Sequence, residues 1–331
     1  PEWCRRDDRT DSEKAVMAPE QKNFQKQYRE TAPECSEDLK RLTVSKYLLH
    51  LRAETLIKLP PDKGSTFHGA FGHALKRISP YYYQQIFEAG KDGAAPKPFV
   101  LLPPLDQQEQ YAAGQSFTCE LTLFGRAEQF FPICHAALEF LGKEMGLGRK
   151  RGKFAVQGVE QACPLSGHSS GAASSSLSCR DIAASSSLLI SNDCLRIHLP
   201  TRLRLKADGH LLSHAPEFHL FLARLLARIN TLSALYGSGR ILEPEQRAEL
   251  LAPARERIRL DADGTDACWR DLPRYSGRQK QWMKFGGLLG SVTWQGTAED
   301  FRPFLPYLAV GEWIHIGGKS SFGLGKYVVE R

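Results

Sequence analysis

No run in this sequence approaches eighteen consecutive apolar residues, so no segment reads as a membrane-spanning helix. No secretory-signal pattern opens it. The eight cysteines (Cys4, Cys35, Cys119, Cys134, Cys163, Cys179, Cys194 and Cys268) are scattered, with no CxxC pair and no Cys/His cluster at zinc-ligand spacing. Clustered Asp, Glu and His at ligand spacing are missing too, as is a GxxxxGK[ST] phosphate loop. These absences argue against a membrane protein, a zinc module, a metal-dependent nuclease and a P-loop enzyme. The expectation is a cytoplasmic protein with reduced, mostly buried thiols, without membrane contact, metal or cofactor.

What is present is enough apolar sequence, 42% of 331 residues, for one large or two ordinary domains. The net charge is +7. Its distribution is uneven: residues 1–40 carry a net of −2, so the remainder carries +9. A basic body is an electrostatic hint of nucleic acid.

The most unusual stretch is Gly311 to Arg331, GEWIHIGGKSSFGLGKYVVER. Within it, Gly317, Gly318, Lys319, Ser320, Ser321, Phe322, Gly323 and Gly325 precede the strand-like Lys326–Val329. Such a loop can turn through positive φ and aim amides, hydroxyls and a lysine at a phosphate, while Phe322 stacks on a base or pins the loop. The competing reading is a tight strand connection without a ligand.

Along the chain, residues 1–43 read as a polar extension, either a disordered tail or a helix around Glu20–Arg29 docked loosely. Residues 44–163 follow the order β-α-β-β-α-β. Their strands are Tyr47–Ala53, Phe99–Leu102, Phe117–Phe124 and Phe154–Val156. Their helices are Phe67–Ile78, capped by Ser65 or Thr66 and stopped by Pro80, and Arg126–Met145. Residues 164–192, rich in Ser, Gly and Ala, read as a linker or loop. Residues 193–331 repeat the pattern. Leu195–Leu205 and Gly286–Trp294 are strands, Glu217–Tyr236 and Ala298–Leu308 are helices, and 240–273 is hard to assign. The fold class is α+β: two tandem ferredoxin-like (RRM-like, βαββαβ) domains with a C-terminal glycine-rich loop.

Four segments in this order carry a resemblance. They are the terminal loop, Thr66-Phe67-His68-Gly69-Ala70-Phe71-Gly72-His73-Ala74-Leu75-Lys76-Arg77, the pair Leu121–Arg126 with Gly146–Arg149, and Arg274–Gln279 with Met283–Gly287. Together they resemble the CRISPR-associated pre-crRNA processing endoribonucleases, the sixth Cas family of the RAMP superfamily. The resemblance covers roughly 45–163 and 195–331. It implies binding of CRISPR repeat RNA and metal-independent cleavage of precursor crRNA in antiviral defence. There the ribose 2′-hydroxyl attacks the adjacent phosphate to leave a 2′,3′-cyclic phosphate. It also implies other Cas proteins of an effector complex as partners. The alternative within the superfamily is a non-catalytic subunit that holds guide RNA. A general RRM-type binder ranks last, because FTCELTLF lacks paired exposed aromatics.

Such chemistry needs a base, an acid and positive charge on the phosphorane. The catalytic candidates are His73, His68, Lys76 and Tyr82. His68 and His73 stand about 140° apart on a helix, so only one can face RNA. His73 matches the family's GH, His68 lies nearer the helix start, and Lys76 shares the face of His73. Tyr81, Tyr82 and Tyr83 can stack bases, donate a proton or pack in the core; either histidine can equally be a structural residue. Lys63 in the 60–64 loop is a further contributor. The RNA-binding candidates are Arg149, Lys150, Arg151 and Lys153 in one basic turn, Arg274, Arg278, Lys280 and Lys284 in a second basic segment, and the terminal loop.

Overall fold

The computed structural model describes residues 36–88, 95–163, 167–169, 176–186, 188, 193–276 and 281–330. The extension before residue 36, and with it the helix expected around Glu20–Arg29, lies outside the described residues.

The first domain is built on β1 (Thr43–Ala53). Alternate residues of β1 are buried, among them Tyr47, Leu49 and Leu51, as expected of a strand with one face on helices. After it come α1 (Gly64–Ile78), α2 (Pro80–Phe87), β2 (Phe99–Leu102), β3 (Ser116–Phe124), α3 (Phe131–Phe140) and β4 (Phe154–Cys163). The sheet order is β2-β3-β1-β4, and these pairings are antiparallel, as in a ferredoxin-like unit. Phe67, Phe71 and Leu75 of α1, with Leu138 of α3, close the core over Leu49 and Leu121.

Several local expectations are corrected. Helix α1 starts at Gly64, with Lys63 rather than Ser65 or Thr66 at its N-cap and no side-chain cap. Pro80 ends α1 but also opens α2, because Ser79 accepts a bond from the Tyr82 amide and proline suits a first helical turn. The span Arg126–Met145 is three pieces: a 3₁₀ segment Gly125–Phe130, then α3, then a wide turn Leu141–Met145. Pro132 at the start of α3 fixes that division.

The linker reading fails for 176–186. Helix α4 (Cys179–Ser185) begins with a capping box, in which Ser178 and Asp181 bond each other's amides. Its Cys179, Ile182 and Ala183 are buried in the second core. The extension also ends before 43: Leu39 and Leu42 are fully buried in that same core, beside Val44 and Phe124.

The second domain comprises β5 (Cys194–Leu203), α5 (Phe218–Tyr236), α6 (Pro244–Arg257), β6 (Arg259–Asp261), β7 (Cys268–Arg270), β8 (Gly287–Gln295), α7 (Leu305–Ile314) and β9 (Val328–Val329). Strands β6 and β7 both pair with β8, which pairs with β5, which pairs with β9. The first sheet's order therefore recurs, with the second position divided between two short strands. The expected helix Ala298–Leu308 is instead a short turn Ala298–Phe301, a 3₁₀ step at Pro303, and α7, which takes in Gly311–Ile314.

A charged seam joins the domains. Lys46 of β1 lies 4.3 Å over the Trp313 ring of α7, and Lys326 Nζ is 3.4 Å from Glu120 of β3. Burial pushes the Lys46 pKa down to about 8; repulsion from Lys326 adds to this, against the attraction of Glu120 and Glu312. Lys46 thus holds its proton less tightly when folded than when unfolded. The resulting cost is present below about pH 8 and fades as pH rises toward the ordinary lysine value. Lys46→Met should raise the melting temperature near neutrality and lose that advantage by about pH 10. A pH-independent difference in melting temperature would contradict this account.

Candidate nucleic-acid site at the domain seam

The terminal loop leaves α7 at His315, and its backbone course is set by Arg228 in the middle of α5. Helix α5 is apolar along most of its length, yet Arg228 is buried. Its guanidinium donates from Nε to the carbonyls of Ile314 (3.1 Å) and His315 (2.6 Å) and from Nη2 to Ile314 (2.8 Å). These are α7's last carbonyls, which lack helical partners, so a cation there satisfies them twice over. Burial lowers the Arg228 pKa to about 10, which leaves it charged near neutrality.

His315 follows with φ 59° and is buried. Burial, reinforced by Lys326 and Lys46, holds its pKa well below the usual histidine range. The neutral ring lies with Nδ1 3.2 Å from the Leu324 carbonyl, and a carbonyl only accepts, so the proton is on Nδ1. His315 is therefore a structural tie across the loop rather than an RNA contact. Gly325 closes the circuit: its φ is 73°, and a Cβ there would collide with the Ile316 carbonyl. The Ile316 amide donates to the Gly325 carbonyl at 2.9 Å.

Between these ties the loop reaches into the first domain. Phe322 stacks on His68 of α1, with centroids 3.6 Å apart and planes 11° apart. His68 in turn stacks on Phe99 of β2 at 5.8 Å, and Phe322 meets Phe285 edge-on at 5.5 Å. Ser321 Oγ lies 3.4 Å from His68 Nε2. A column of rings thus crosses the seam. Gly64 permits the approach, because a Cβ at that position would strike the Phe322 carbonyl oxygen.

These contacts sort the terminal-loop candidates. Ser320, Ser321, Gly323 and Gly325 are buried, and the Gly318 and Gly325 amides donate to the carbonyls of Arg204 and Arg202. The expected convergence of these amides on a phosphate is replaced by their binding to the strand end of β5. Gly317 is half-buried, and only Gly318 and Lys319 stand exposed at the loop's tip, with Lys319 Nζ 5.9 Å from the Phe285 ring.

Beside the ring column lies a cleft of about 240 Å³, bordered by Asp62, Lys63, Asp106, Arg202, Phe322 and Gly323. Lys63 is buried, with Nζ 2.9 Å from Asp106 Oδ1 and 2.6 Å from the Asp106 carbonyl. Arg202 pairs with Asp62 at 2.9 Å. Burial raises the Asp106 pKa, but hydrogen bonds from Lys63 and Tyr111 outweigh it and leave the carboxyl below its ordinary value. Lys63, a contributor to catalysis by the sequence reading, is engaged here as a loop anchor.

The catalytic candidates separate. His68 is buried in the column. His73, five residues on and about 7.5 Å along the axis of α1, is exposed, and so is Lys76 on its face. Tyr82 is half-buried, edge-on to Phe130 at 5.4 Å, and Lys76 Nζ lies 5.2 Å from the Tyr83 ring. The structure brings Lys76 to Tyr83, leaves His73 exposed one turn before Lys76 on α1, and places His68 at the seam.

Among the basic candidates, Arg149, Lys150 and Arg151 are exposed on a turn closed by the pairing of Leu147 with Gly152. Lys153 is half-buried and donates to the Glu144 carbonyl at 2.7 Å. Arg274 and Lys284 lie on a hairpin formed by Pro273–Ser276 and Gln281–Lys284; Arg278 and Lys280 lie outside the described residues. Sequence reasoning missed Arg228, Arg202 and Asp106, and reached Asp62 only as part of the 60–64 loop. Of these only Arg228 carried a signal, as a charge within an apolar helix that must find partners when buried.

A family model described only as an N-terminal domain matches residues 42–175, and that of the CRISPR-associated endoribonuclease Cas6 matches residues 195–327. Among curated proteins nothing matches. Several solved structures share the fold. A product complex of Cas6 (TTHB231) of Thermus thermophilus is 19% identical, with 87% of this chain and 99% of that chain covered and a TM-score of 0.56. A product complex of Cas6 (TTHA0078) is 18% identical, covering 87% and 100% with a TM-score of 0.54. A partial Cas6-RT-Cas1–Cas2 complex is 14% identical, covering 87% of this chain and 46% of that one, with a TM-score of 0.61.

If the seam depends on close approach at Gly64, Gly64→Ala should destabilise the protein by about 1–3 kcal/mol. Gly69→Ala, on the same helix with nothing within 4 Å of the new Cβ, should be neutral or stabilising. Equal effects of the two in denaturant titration would refute the wedge. Arg228→Met should cost several kcal/mol, since it leaves the Ile314 and His315 carbonyls buried without their donor; a near-wild-type unfolding midpoint would sink that role.

Proposed function

We propose that this chain, whose residues 195–327 match the model of the CRISPR-associated endoribonuclease Cas6, is an endoribonuclease of that kind, which cleaves CRISPR repeat RNA without a metal ion and leaves a 2′,3′-cyclic phosphate. The observation that carries the reading is the exposed pair His73 and Lys76, on a helix that the glycine-rich loop holds against the second domain. His73 takes the proton of the ribose 2′-hydroxyl. The 2′-oxygen attacks phosphorus, the bond to the 5′-oxygen breaks, and the departing oxygen is protonated from solvent at this open corner. The Lys76 ammonium stabilises the charge that gathers on the phosphorane. His68 and Tyr82 serve packing in this scheme.

The repeat is held by charge. Arg149, Lys150 and Arg151 at one turn, Arg274 and Lys284 on the hairpin, and Lys319 at the loop tip supply phosphate contacts. The Cas6-RT-Cas1–Cas2 assembly that shares the fold supports other Cas proteins as partners.

The test is cleavage of the cognate repeat in EDTA, with analysis of the product ends. His73→Ala should lower the rate by about a hundredfold or more with little loss of binding. His68→Ala should lower stability instead. Tight binding without cleavage by the wild type would favour a subunit that only holds guide RNA. Replacing Arg149 should flatten the salt dependence of binding by about one phosphate contact.

A further inference from the structure

We infer that Arg204 is a phosphate contact of the repeat RNA, assisted by Lys319 at the tip of the terminal loop and held at the root of the hairpin that follows β7. The inference rests on the reading above that this chain binds repeat RNA, and it adds a residue that lies outside both basic segments. Arg204 directly follows β5 and is half-buried.

The other arginines of this strand are neutralised. Arg196 lies 3.2 Å from Glu330 and 3.5 Å from Asp266, and Arg202 lies 2.9 Å from Asp62. Arg204 has no carboxylate partner among the described residues. Its Nη1 donates to the Gly286 carbonyl, which leaves most of the guanidinium's donors unused. Asp271, packed beside Gly286, accepts instead from the Trp269 indole at 2.9 Å. Burial lowers the Arg204 pKa, and no acid opposes it. A partly buried cation in this state is costly, and an anion that reaches it relieves the cost.

A second cation shares its ring. Arg204 Cζ lies 5.7 Å from the centroid of Phe285, and Lys319 Nζ lies 5.9 Å from the same centroid. The loop tip is fixed to Arg204 through backbone. The Gly318 amide donates to the Arg204 carbonyl at 2.8 Å, and Gly317, with φ 84°, passes so close that a Cβ would strike that carbonyl oxygen. Phe285 is buried, and its amide donates to the Leu272 carbonyl at 2.8 Å, on the other side of the hairpin root. The two cations are therefore set in place before any ligand arrives, which lowers the entropic cost of binding one. A phosphodiester suits them, because its free oxygens match the planar fork of a guanidinium. A strand held there would lie at the second-domain end of the ring column, which runs from Phe285 through Phe322 to His68.

A methylphosphonate scan tests this, neutralising one linkage of the repeat at a time in RNA made uncleavable by a 2′-deoxy nucleotide at the cut. Arg204→Met should weaken binding about tenfold and flatten its salt dependence by about one phosphate contact. One neutral linkage should weaken the wild type by a similar factor and have no further effect on Arg204→Met. Arg224→Gln, at an exposed position of α5, removes the same charge and should leave the wild-type pattern of linkages intact. Wild-type affinity in Arg204→Met would overturn the contact and leave an acidic protein segment as the occupant. Losses that simply add at every linkage would overturn it too. If a circular dichroism melt shows Arg204→Met unfolded, Lys319→Met at the exposed tip carries the same cycle: its linkage must be one that the wild type needs, and no coupled linkage at all would sink the site. Failure of the wild type to bind the repeat would refute the parent reading and the contact with it.

Discussion

The seam depends on one buried cation. Arg228 sits where an apolar helix passes beneath the end of α7, and it binds the carbonyls from which the terminal loop departs. A buried guanidinium is costly unless its donors are satisfied, and carbonyls at a helix end are costly unless they are bonded. Each group meets the other's need. With that junction fixed, His315 and Gly325 can close the loop on itself, and Phe322 can be delivered to His68. Helix α1 is held by its own core through Phe67, Phe71 and Leu75, and the stack of Phe322 on His68 ties it to the second domain as well.

The glycine-rich loop thus works mainly as structure. Glycines let backbone meet backbone at two places, Gly64 of α1 against Phe322 and the loop's own Gly325 against Ile316. A sequence rich in glycine, serine and lysine looks alike whether its amides face a phosphate or a neighbouring strand. Only the partners decide, and here the carbonyls of Arg202 and Arg204 take two of them.

Where a residue's role is local, the sequence was informative. The alternation in β1 and β3 and the apolar spacing of α1 and α5 marked those elements, and the order β-α-β-β-α-β marked the first domain. Residues 240–273 resisted because α6 is polar and carries Pro253 inside it, and because the strand after it is split into two three-residue pieces that carry no periodicity. Helix α4 was hidden by a run of Ser and Ala, although Ser178 and Asp181 already spelled a capping box. The site was half legible. Helical geometry separated His68 from His73, but which of them is buried was not legible, because one of the rings that cover His68 is Phe322, 254 positions away in the chain. Pairs such as Lys63 with Asp106 and Arg202 with Asp62 are long-range in the same sense. No spacing rule reaches them.

The seam also has a place in time. A chain is made from its N-terminus, and domains tend to fold as they emerge. His68 and Phe99 are synthesised more than two hundred residues before Phe322. Until the loop arrives, the first domain has α1 and its core but lacks the ring that covers His68. A nascent chain therefore carries a first domain whose His68 lacks the Phe322 ring while the second domain is made, and the seam closes only once the glycine-rich loop has emerged. The seam is in this way among the last contacts that the described residues can make.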